Sequence, residues 1–383
     1  MNSIAPTTSE DSALRRELEA IGPISADSHV TEPATMYVDY IDPQFRDAAP
    51  RVVTEEGADY YSVPGHNRLV SVGLVASAGR KPQEIDVKYR RYEDLHAGGW
   101  DPKARLEAQE RDGIRGEIIY PTIGMMVYGM KDAPLQSACA NAYNRWLSEF
   151  VGAYPTRLWG IGQTAVRSVD EAVADVLRMK AQGLKGVYLP GAPLTEVDYD
   201  HPSFDALWRT CVEIGMPICF HVFTGQRREP PRGQAINMWS GVMRQNQDLI
   251  GMFIFAGVFD RHPELKLVCV EADAGWAPHF AYRMDHIYER HRYWQKAPPL
   301  KRMPSEYFHE NVYMTFQDDW VAFKTIGLMN PERLMWANDF PHADSTWPHS
   351  MDLLVEHSAC LTADQRRKVV RDNVVRLFAL EVD

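Results

Sequence analysis

Short apolar runs and longer amphipathic runs alternate along most of this chain, and the alternation predicts its architecture. Asp101 followed by Pro102 opens a helix that runs to Asp112 and stops at Gly113, a cap, a first-turn proline and a glycine stop in the expected order. Residues 114–120 then read as a buried strand closed by Pro121. Residues 135–154 read as a helix with Ala142, Trp146, Leu147 and Phe150 at helical spacing. The unit recurs as strand 158–163, helix 169–182 entered at Ser168, strand 185–190, helix 204–214, and strand 216–220 ending at His221. Helix 240–255, strand 265–271, helix 278–292, strand 311–315, helix 320–329, strand 334–337 and closing helices over 351–380 complete the series.

Upstream, 1–22 is a polar arm with a short helix over 10–20, and 24–29 is the first strand. The stretch 34–98 lacks helical period and carries β-like pieces at 60–63 and 68–75, so it reads as an insertion forming a small flap over one end of the main domain. Eight mostly apolar strands, most followed by a helix, predict a parallel sheet covered on both faces. The α/β class and the count point to a closed (β/α)8 TIM barrel in a single domain, 1–383. An open doubly wound sheet is the alternative. Against it, neither G-x-G-x-x-G nor G-x-x-x-x-G-K-[ST] follows any strand.

Composition narrows the function. A net charge of −11 without long single-sign runs gives no footprint for nucleic acid or anionic lipid. The five cysteines, Cys139, Cys211, Cys219, Cys269 and Cys360, are scattered and never form C-x-x-C, which argues against a disulfide frame or a thiolate zinc site. No apolar run is long enough to span a bilayer, and the first twenty residues lack an apolar signal core, so a soluble, cytoplasmic protein is expected.

In a barrel of this kind the chemistry gathers at the C-terminal ends of the strands. Asp27 and His29 end the first strand, and residues two apart in an extended chain face the same side. Alone they also read as a turn or capping pair. His221 ends the fifth strand, where a lone histidine is more often a hydrogen-bonded core residue, and Asp339 follows the eighth, where it also suits a turn cap. Together Asp27, His29, His221 and Asp339 make the donor set of one divalent ion. Glu271 at the end of strand six suits proton relay and His342 suits a substrate-facing or turn-capping role. Glu32 reads as a partner for a ligand histidine or as a cap. Trp239 and Trp276, with Arg227 and Arg228, are candidates for a pocket lining, although each aromatic also suits plain packing.

Several segments in order carry a resemblance: the opening Asp-x-His, Gly99-Trp100-Asp101-Pro102 with Arg105 and Asp112-Gly113-Ile114, the strand-five histidine, and Gly257-Val258-Phe259-Asp260-Arg261-His262-Pro263. Asn338-Asp339-Phe340-Pro341-His342, Asp372-Asn373 and Arg376-Leu377-Phe378 extend it to about residue 380. The chain resembles the amidohydrolase superfamily, on the branch of aminocarboxymuconate-semialdehyde decarboxylase and related metal-dependent aromatic-acid decarboxylases. The resemblance implies a metal-bearing barrel, frequently a homodimer, with one Zn²⁺ per chain or else Mn²⁺ or Fe²⁺, held by Asp27, His29, His221 and Asp339. Apart from the resemblance, Asp339 beside a metal-bound water suits proton transfer, with Glu271 holding or relaying the proton and His342 facing the substrate; Arg90 and Arg91, next to Lys88 and Tyr89, sit where the resemblance implies arginines that hold a substrate carboxylate, and surface charge is the alternative role of each. Two departures stand out. Asp27 occupies a position commonly held by histidine, which hardens the donor set, and Glu271 stands where the decarboxylases commonly carry a histidine. The implied activity is decarboxylation of a small cyclic, aromatic or unsaturated carboxylic acid. Metal-dependent hydrolysis of an amide, lactone or imine is the enzyme alternative, and a non-catalytic binding barrel the third reading.

Overall fold

Eight strands lie side by side and every neighbouring pair among them is parallel. They are β1 (Ile24–His29), β2 (Gly116–Tyr120), β3 (Leu158–Gln163), β4 (Gly186–Tyr188), β5 (Ile218–His221), β6 (Leu267–Val270), β7 (Val312–Phe316) and β8 (Leu334–Trp336). Their spatial order is their chain order. The computed structural model describes residues 9–85, 90–224 and 233–383. Beyond β8 the chain comes back to β1: the Asp339 amide donates to the Asp27 carbonyl at 3.0 Å, and the His29 amide to the Phe340 carbonyl at 2.8 Å. These bonds draw the sheet into a nearly closed (β/α)8 barrel.

The strands are apolar on both faces because both are covered. Ile24, Ala26, Ile118, Tyr120, Trp159, Ile161, Tyr188, Cys219, Val268, Val270, Tyr313 and Met335 form one buried cluster, taken from alternate positions of the eight strands. That is the barrel interior, and Val374, Phe378 and Leu380 of the C-terminal segment join it. The opposite faces pack on the surrounding helices in a second, larger cluster that includes Leu147, Val176, Leu207 and Phe253. Full burial of one such side chain stabilises by about 1.5–3 kcal/mol, so the barrel is a filled core and its chemistry is confined to its rim.

Local signals fix the connecting helices. Helix Pro102–Asp112 starts where Asp101 accepts the Lys103 and Ala104 amides and ends at Gly113, whose φ of 75° is the left-handed stop. Helix Val169–Ala181 starts at Ser168, which accepts the Glu171 amide. The stretch 34–98 does carry a three-stranded antiparallel sheet, Arg51–Glu55, Ala58–Ser62 and Val70–Ser71. It departs from expectation in two places. Residues 72–75 form a helical turn, because Ser71 caps it by accepting the Gly73 amide while Val72 and Val75 are buried. Met36–Tyr40 is also helical, burying Met36 and Tyr37.

Candidate metal centre

The first strand would not present both Asp27 and His29 to the interior if it alternated regularly, because Ile24 and Ala26 already face inward. A bulge resolves the conflict. On β2 the partners of Ser25 and Ser28 are Glu117 and Ile119, so β1 uses one residue more than β2 between these pairs. The inward face thereby shifts from even to odd numbers. Ser28 turns outward and its hydroxyl meets Asn338 Oδ1 at 2.8 Å and Glu117 Oε1 at 3.2 Å.

His221 follows the ordinary alternation from Cys219. Glu271 does not: it comes directly after inward-facing Val270, and its left-handed φ of 57° breaks the alternation and brings the carboxylate back to the mouth. Asp339 shares that φ of 57°. The six side chains Asp27, His29, His221, Glu271, Asp339 and His342 thus meet at the end of the barrel where the strands terminate. His29 Nε2 is 3.5 Å from Asp27 Oδ1, 3.3 Å from Asp339 Oδ1 and 3.2 Å from His221 Nε2. His221 Nε2 is 3.0 Å from Glu271 Oε2 and 3.8 Å from Asp27 Oδ1. His342 stacks on His29, with ring centroids 4.0 Å apart, and sets its Nδ1 3.1 Å from Asp339 Oδ1.

The outer nitrogens of the first two histidines are spoken for. Nδ1 of His29 lies 2.8 Å from the Pro121 carbonyl and Nδ1 of His221 lies 3.1 Å from the Val222 carbonyl, so each Nδ1 carries a proton and Nε2 faces the cluster. Asp27 Oδ1 and both carboxylate oxygens of Asp339 are buried and, among the described residues, accept no hydrogen bond. Buried carboxylate oxygens without donors are costly. A divalent cation relieves that cost, and two overlapping sets of hard and borderline donors have their ligand atoms within 4.8 Å of one another: Asp27, His29, His221 and Glu271, and His29, Glu271, Asp339 and His342. Asp339 thus joins His29 and Glu271, while Glu271 is the carboxylate grouped with Asp27 and His221.

Electrostatics point the same way. Burial, opposed by His221 and reinforced by Glu271 and Asp339, holds the Asp27 carboxyl well above its usual range. Burial and then the Glu271 charge do the same for Asp339. Burial, helped by His342 and His221, holds His29 well below the usual imidazole range and keeps it neutral. His221 goes the other way: burial lowers it, but the Glu271 charge and hydrogen bond and then Asp27 outweigh burial and push it up to about 9. Glu271 is correspondingly lowered: its own burial works against the shift and the His221 charge prevails. Without a cation in place, the buried charge is balanced by a proton on His221.

A buried polar network supports this rim from behind. Arg105, fully buried, pairs with Glu117 and donates to the carbonyls of His29 at 2.6 Å, Gly98 at 3.2 Å and Phe340 at 3.2 Å. It therefore pins β1 and the segment after β8 together. Asn338 donates to Asp112 at 3.1 Å, and Asp112 in turn holds Ser350. Glu32 serves as a cap: its carboxylate accepts the amides of Thr122, Ile123 and Gly124 at 3.0–3.1 Å. Thr122 is a site residue absent from the sequence reading; its one sequence signal is its place directly after the Pro121 that closes β2. Its hydroxyl lies 2.6 Å from the Val30 carbonyl and 2.9 Å from His342 Nε2.

The remaining candidates lie outside the cluster. The Arg90 carbonyl accepts the Asp59 amide, and Tyr92, two residues on, donates to the Thr31 and Glu32 carbonyls at 3.2 Å, so this part of the flap covers the loop after β1. Arg90 Nε is buried and meets no acceptor among the described residues. Arg91 pairs with Asp59 at 3.3 Å. Trp239 is half exposed against Phe223. Trp276 donates to the Ala272 carbonyl at 2.6 Å and packs on Phe280 and Phe308. Lys88, Tyr89, Arg227 and Arg228 fall outside the described residues.

Comparison with known proteins places this geometry. The family model described as Amidohydrolase matches residues 64–380. A curated relative, the 2-amino-3-carboxymuconate-6-semialdehyde decarboxylase of Dictyostelium discoideum, is 24% identical over 263 residues, 67% of this chain and 70% of its own. Among solved structures, an amidohydrolase from Mycobacterium avium subsp. paratuberculosis superposes with a TM-score of 0.76 at 19% identity, covering 93% of this chain and 99% of its own. The 5-carboxyvanillate decarboxylase of Novosphingobium aromaticivorans, complexed with manganese and 4-hydroxy-3-methoxy-5-nitrobenzoic acid, superposes with a TM-score of 0.68 at 20% identity, over 94% and 97%. At these identities the structures share the fold.

Proposed function

Because the chain belongs to the amidohydrolase family, we propose that it is a metal-dependent decarboxylase acting on a small aromatic or unsaturated ring carboxylic acid. The observation that carries this reading is the meeting of inward-turned imidazole nitrogens with buried carboxylate oxygens that accept no hydrogen bond. Decarboxylases among the relatives and fold neighbours support the choice of reaction. Asp27, His29, His221 and Asp339 would hold the ion. We assign Mn²⁺ ahead of Zn²⁺, since Asp27 in place of an imidazole hardens the site and a fold neighbour is complexed with manganese. When bound, the ion supplies Lewis acidity toward the substrate carboxylate and a neighbouring oxygen.

The chain's own groups then move the proton. Asp339, at the edge of the ion's donor set, delivers a proton to the ring carbon that bears the carboxylate. The bond to the carboxylate breaks, its electron pair returns to the ring, and carbon dioxide leaves. Asp339 remains as carboxylate and regains a proton from solvent through Glu271, whose side chain is 15% exposed. His342, 3.1 Å from Asp339, orients that carboxyl. Arg90, whose Nε meets no acceptor among the described residues, would pair with the substrate carboxylate, and Trp239 would contact the substrate. Arg91 and Trp276 are engaged with Asp59 and with Phe280 and Phe308 and would act on the substrate only through the residues they hold.

The test is a panel of hydroxybenzoic and dienoic acids labelled with carbon-13 at the carboxyl, incubated with manganese-loaded protein. Labelled carbon dioxide released in proportion to acid consumed is the expected result. Glu271 beside His221 also suits a general base, which favours hydrolysis as the second reading. Cleavage of an amide or lactone without carbon dioxide from any acid would replace the first reading with it.

A further inference from the structure

Strand β7 runs between β6, which leads to Glu271, and β8, which leads to Asp339, yet it carries no acid, histidine or cysteine of its own. What it brings to the mouth is a hydroxyl. Tyr313 faces the barrel interior, so Thr315, two residues on, faces the same way, while Met314 and Phe316 pack outward on the helices. Thr315 is fully buried. Its oxygen accepts the Glu271 amide at 2.9 Å, and its proton points to Asp27 Oδ2 at 3.5 Å, the long end of a hydrogen bond. One side chain therefore meets residues from the ends of the first and sixth strands at once.

Each contact answers a local need. Glu271 holds its left-handed φ of 57°, a conformation that persists only where its surroundings fix it. The bond from its amide to Thr315 ties down the backbone that carries the carboxylate, whose Oε2 lies 3.0 Å from His221 Nε2. Asp27 has two oxygens in different settings. Oδ1 faces the imidazoles, 3.5 Å from His29 Nε2 and 3.8 Å from His221 Nε2, whereas Oδ2 is the oxygen that meets Thr315. A donor on Oδ2 sets the rotation of the carboxyl group and leaves Oδ1 turned to the cluster. The branch at Cβ restricts the threonine rotamer, so the hydroxyl is held in place between its two partners. Valine has the same shape but can neither accept nor donate.

We propose that Thr315 is a positioning residue: through the Glu271 amide it holds the carboxylate that relays the proton, and through Asp27 Oδ2 it aims the other oxygen of that carboxyl at the ion. It acts through these two residues and not on the substrate. This role rests on the decarboxylase reading of the site and adds the part that the seventh strand plays in it.

The experiment compares the full chain with Thr315→Val, which removes the hydroxyl, and Thr315→Ser, which keeps it. In metal-free protein, amide exchange resolved to single residues by mass spectrometry should be faster at Glu271 by about 10-fold in Thr315→Val, with Val268 and Cys269 unchanged. Manganese affinity measured by calorimetry should fall by about 10-fold. At saturating manganese, kcat for carbon dioxide release should fall by about 10-fold or more with KM nearly unchanged, because Glu271 moves the proton and does not bind the acid. Thr315→Ser should restore all three. A residue that served packing alone would lower the Tm of Thr315→Val and leave manganese affinity and kcat in place; that result overturns the proposal, as does a Thr315→Ser protein as impaired as the valine variant. If Thr315→Val does not fold, Thr315→Ala set against Thr315→Ser gives the same decision. Faster Glu271 exchange and weaker manganese binding in a protein that releases no carbon dioxide from any acid would keep the role of Thr315 and remove the decarboxylase. Undiminished carbon dioxide release by Thr315→Val would do the reverse.

Discussion

Replacing Arg105 by Met tests the idea that the rim depends on the network behind it. The substitution keeps much of the side-chain volume and removes every donor. Glu117 would keep Gln109, at 2.7 Å, and Ser28 as partners but lose its charge partner, and the carbonyls of His29, Gly98 and Phe340 would each lose a donor in a fully buried setting. Breaking a buried pair from one side costs about 3–5 kcal/mol. Unfolding entropy of about 2.1 cal/mol/K per residue over 383 residues gives about 0.8 kcal/mol/K for the chain. The Tm of Arg105→Met should therefore fall by about 4–6 °C in a thermal melt. Because Arg105 holds the backbone of a ligand and of the residue after Asp339, manganese affinity measured by calorimetry should fall by about 10–100-fold as well. Arg105→Lys, with a single point donor in place of a fork, should fall between the two. A Tm within about 1 °C of the unsubstituted protein, with unchanged manganese affinity, would refute the reasoning.

Asp339→Asn should fold, since asparagine tolerates the left-handed backbone at this position, and should lose turnover by about 10²-fold or more; near-normal turnover removes Asp339 as proton donor. In metal-free protein, His221 is raised to about 9 from an unfolded value of about 6.5, so the folded state holds an extra proton. The stability this contributes is complete below about pH 6.5 and is lost as pH rises through about 9. Burial raises Asp27 and Asp339, which gives the same sign. Melts of metal-free protein should therefore show a Tm that declines across this window, while manganese-loaded protein should not follow it; parallel profiles would contradict the assignment of His221 as a ligand. Glu32→Gln replaces a carboxylate that accepts three amides with one acceptor and one donor group, and denaturant unfolding should register a loss of about 1–3 kcal/mol. An unchanged midpoint would show that the Thr122–Gly124 turn holds without it.

Much of the barrel could be read from local signals, because proline, glycine and capping residues mark where its elements start and stop. Strand 158–163 and the Asp101 and Ser168 helix starts lie where the pattern puts them. The flap was less legible: its Val72–Val75 turn depends on a cap and on contacts with other parts of the chain, which override the β-favouring composition of 68–75. At the site, the gathering of six side chains at strand ends follows from topology, but two determinants do not. The bulge between Ser25 and Ser28 depends on the neighbouring strand, and simple alternation cannot place it. The role of Thr122 depends on a partner 220 residues away, and no local pattern encodes such a bond.

The two backbone bonds that join Asp27 and His29 to the segment carrying Asp339 and Phe340 have a consequence for reading occupancy. A cation gripping side chains from both edges of that seam acts as a rivet through it. Opening the ring would then require releasing the ion, so solvent deuterium should enter the amides of His29 and Asp339 far more slowly once the rivet is set. Exchange at these two positions can report loading before any substrate is known.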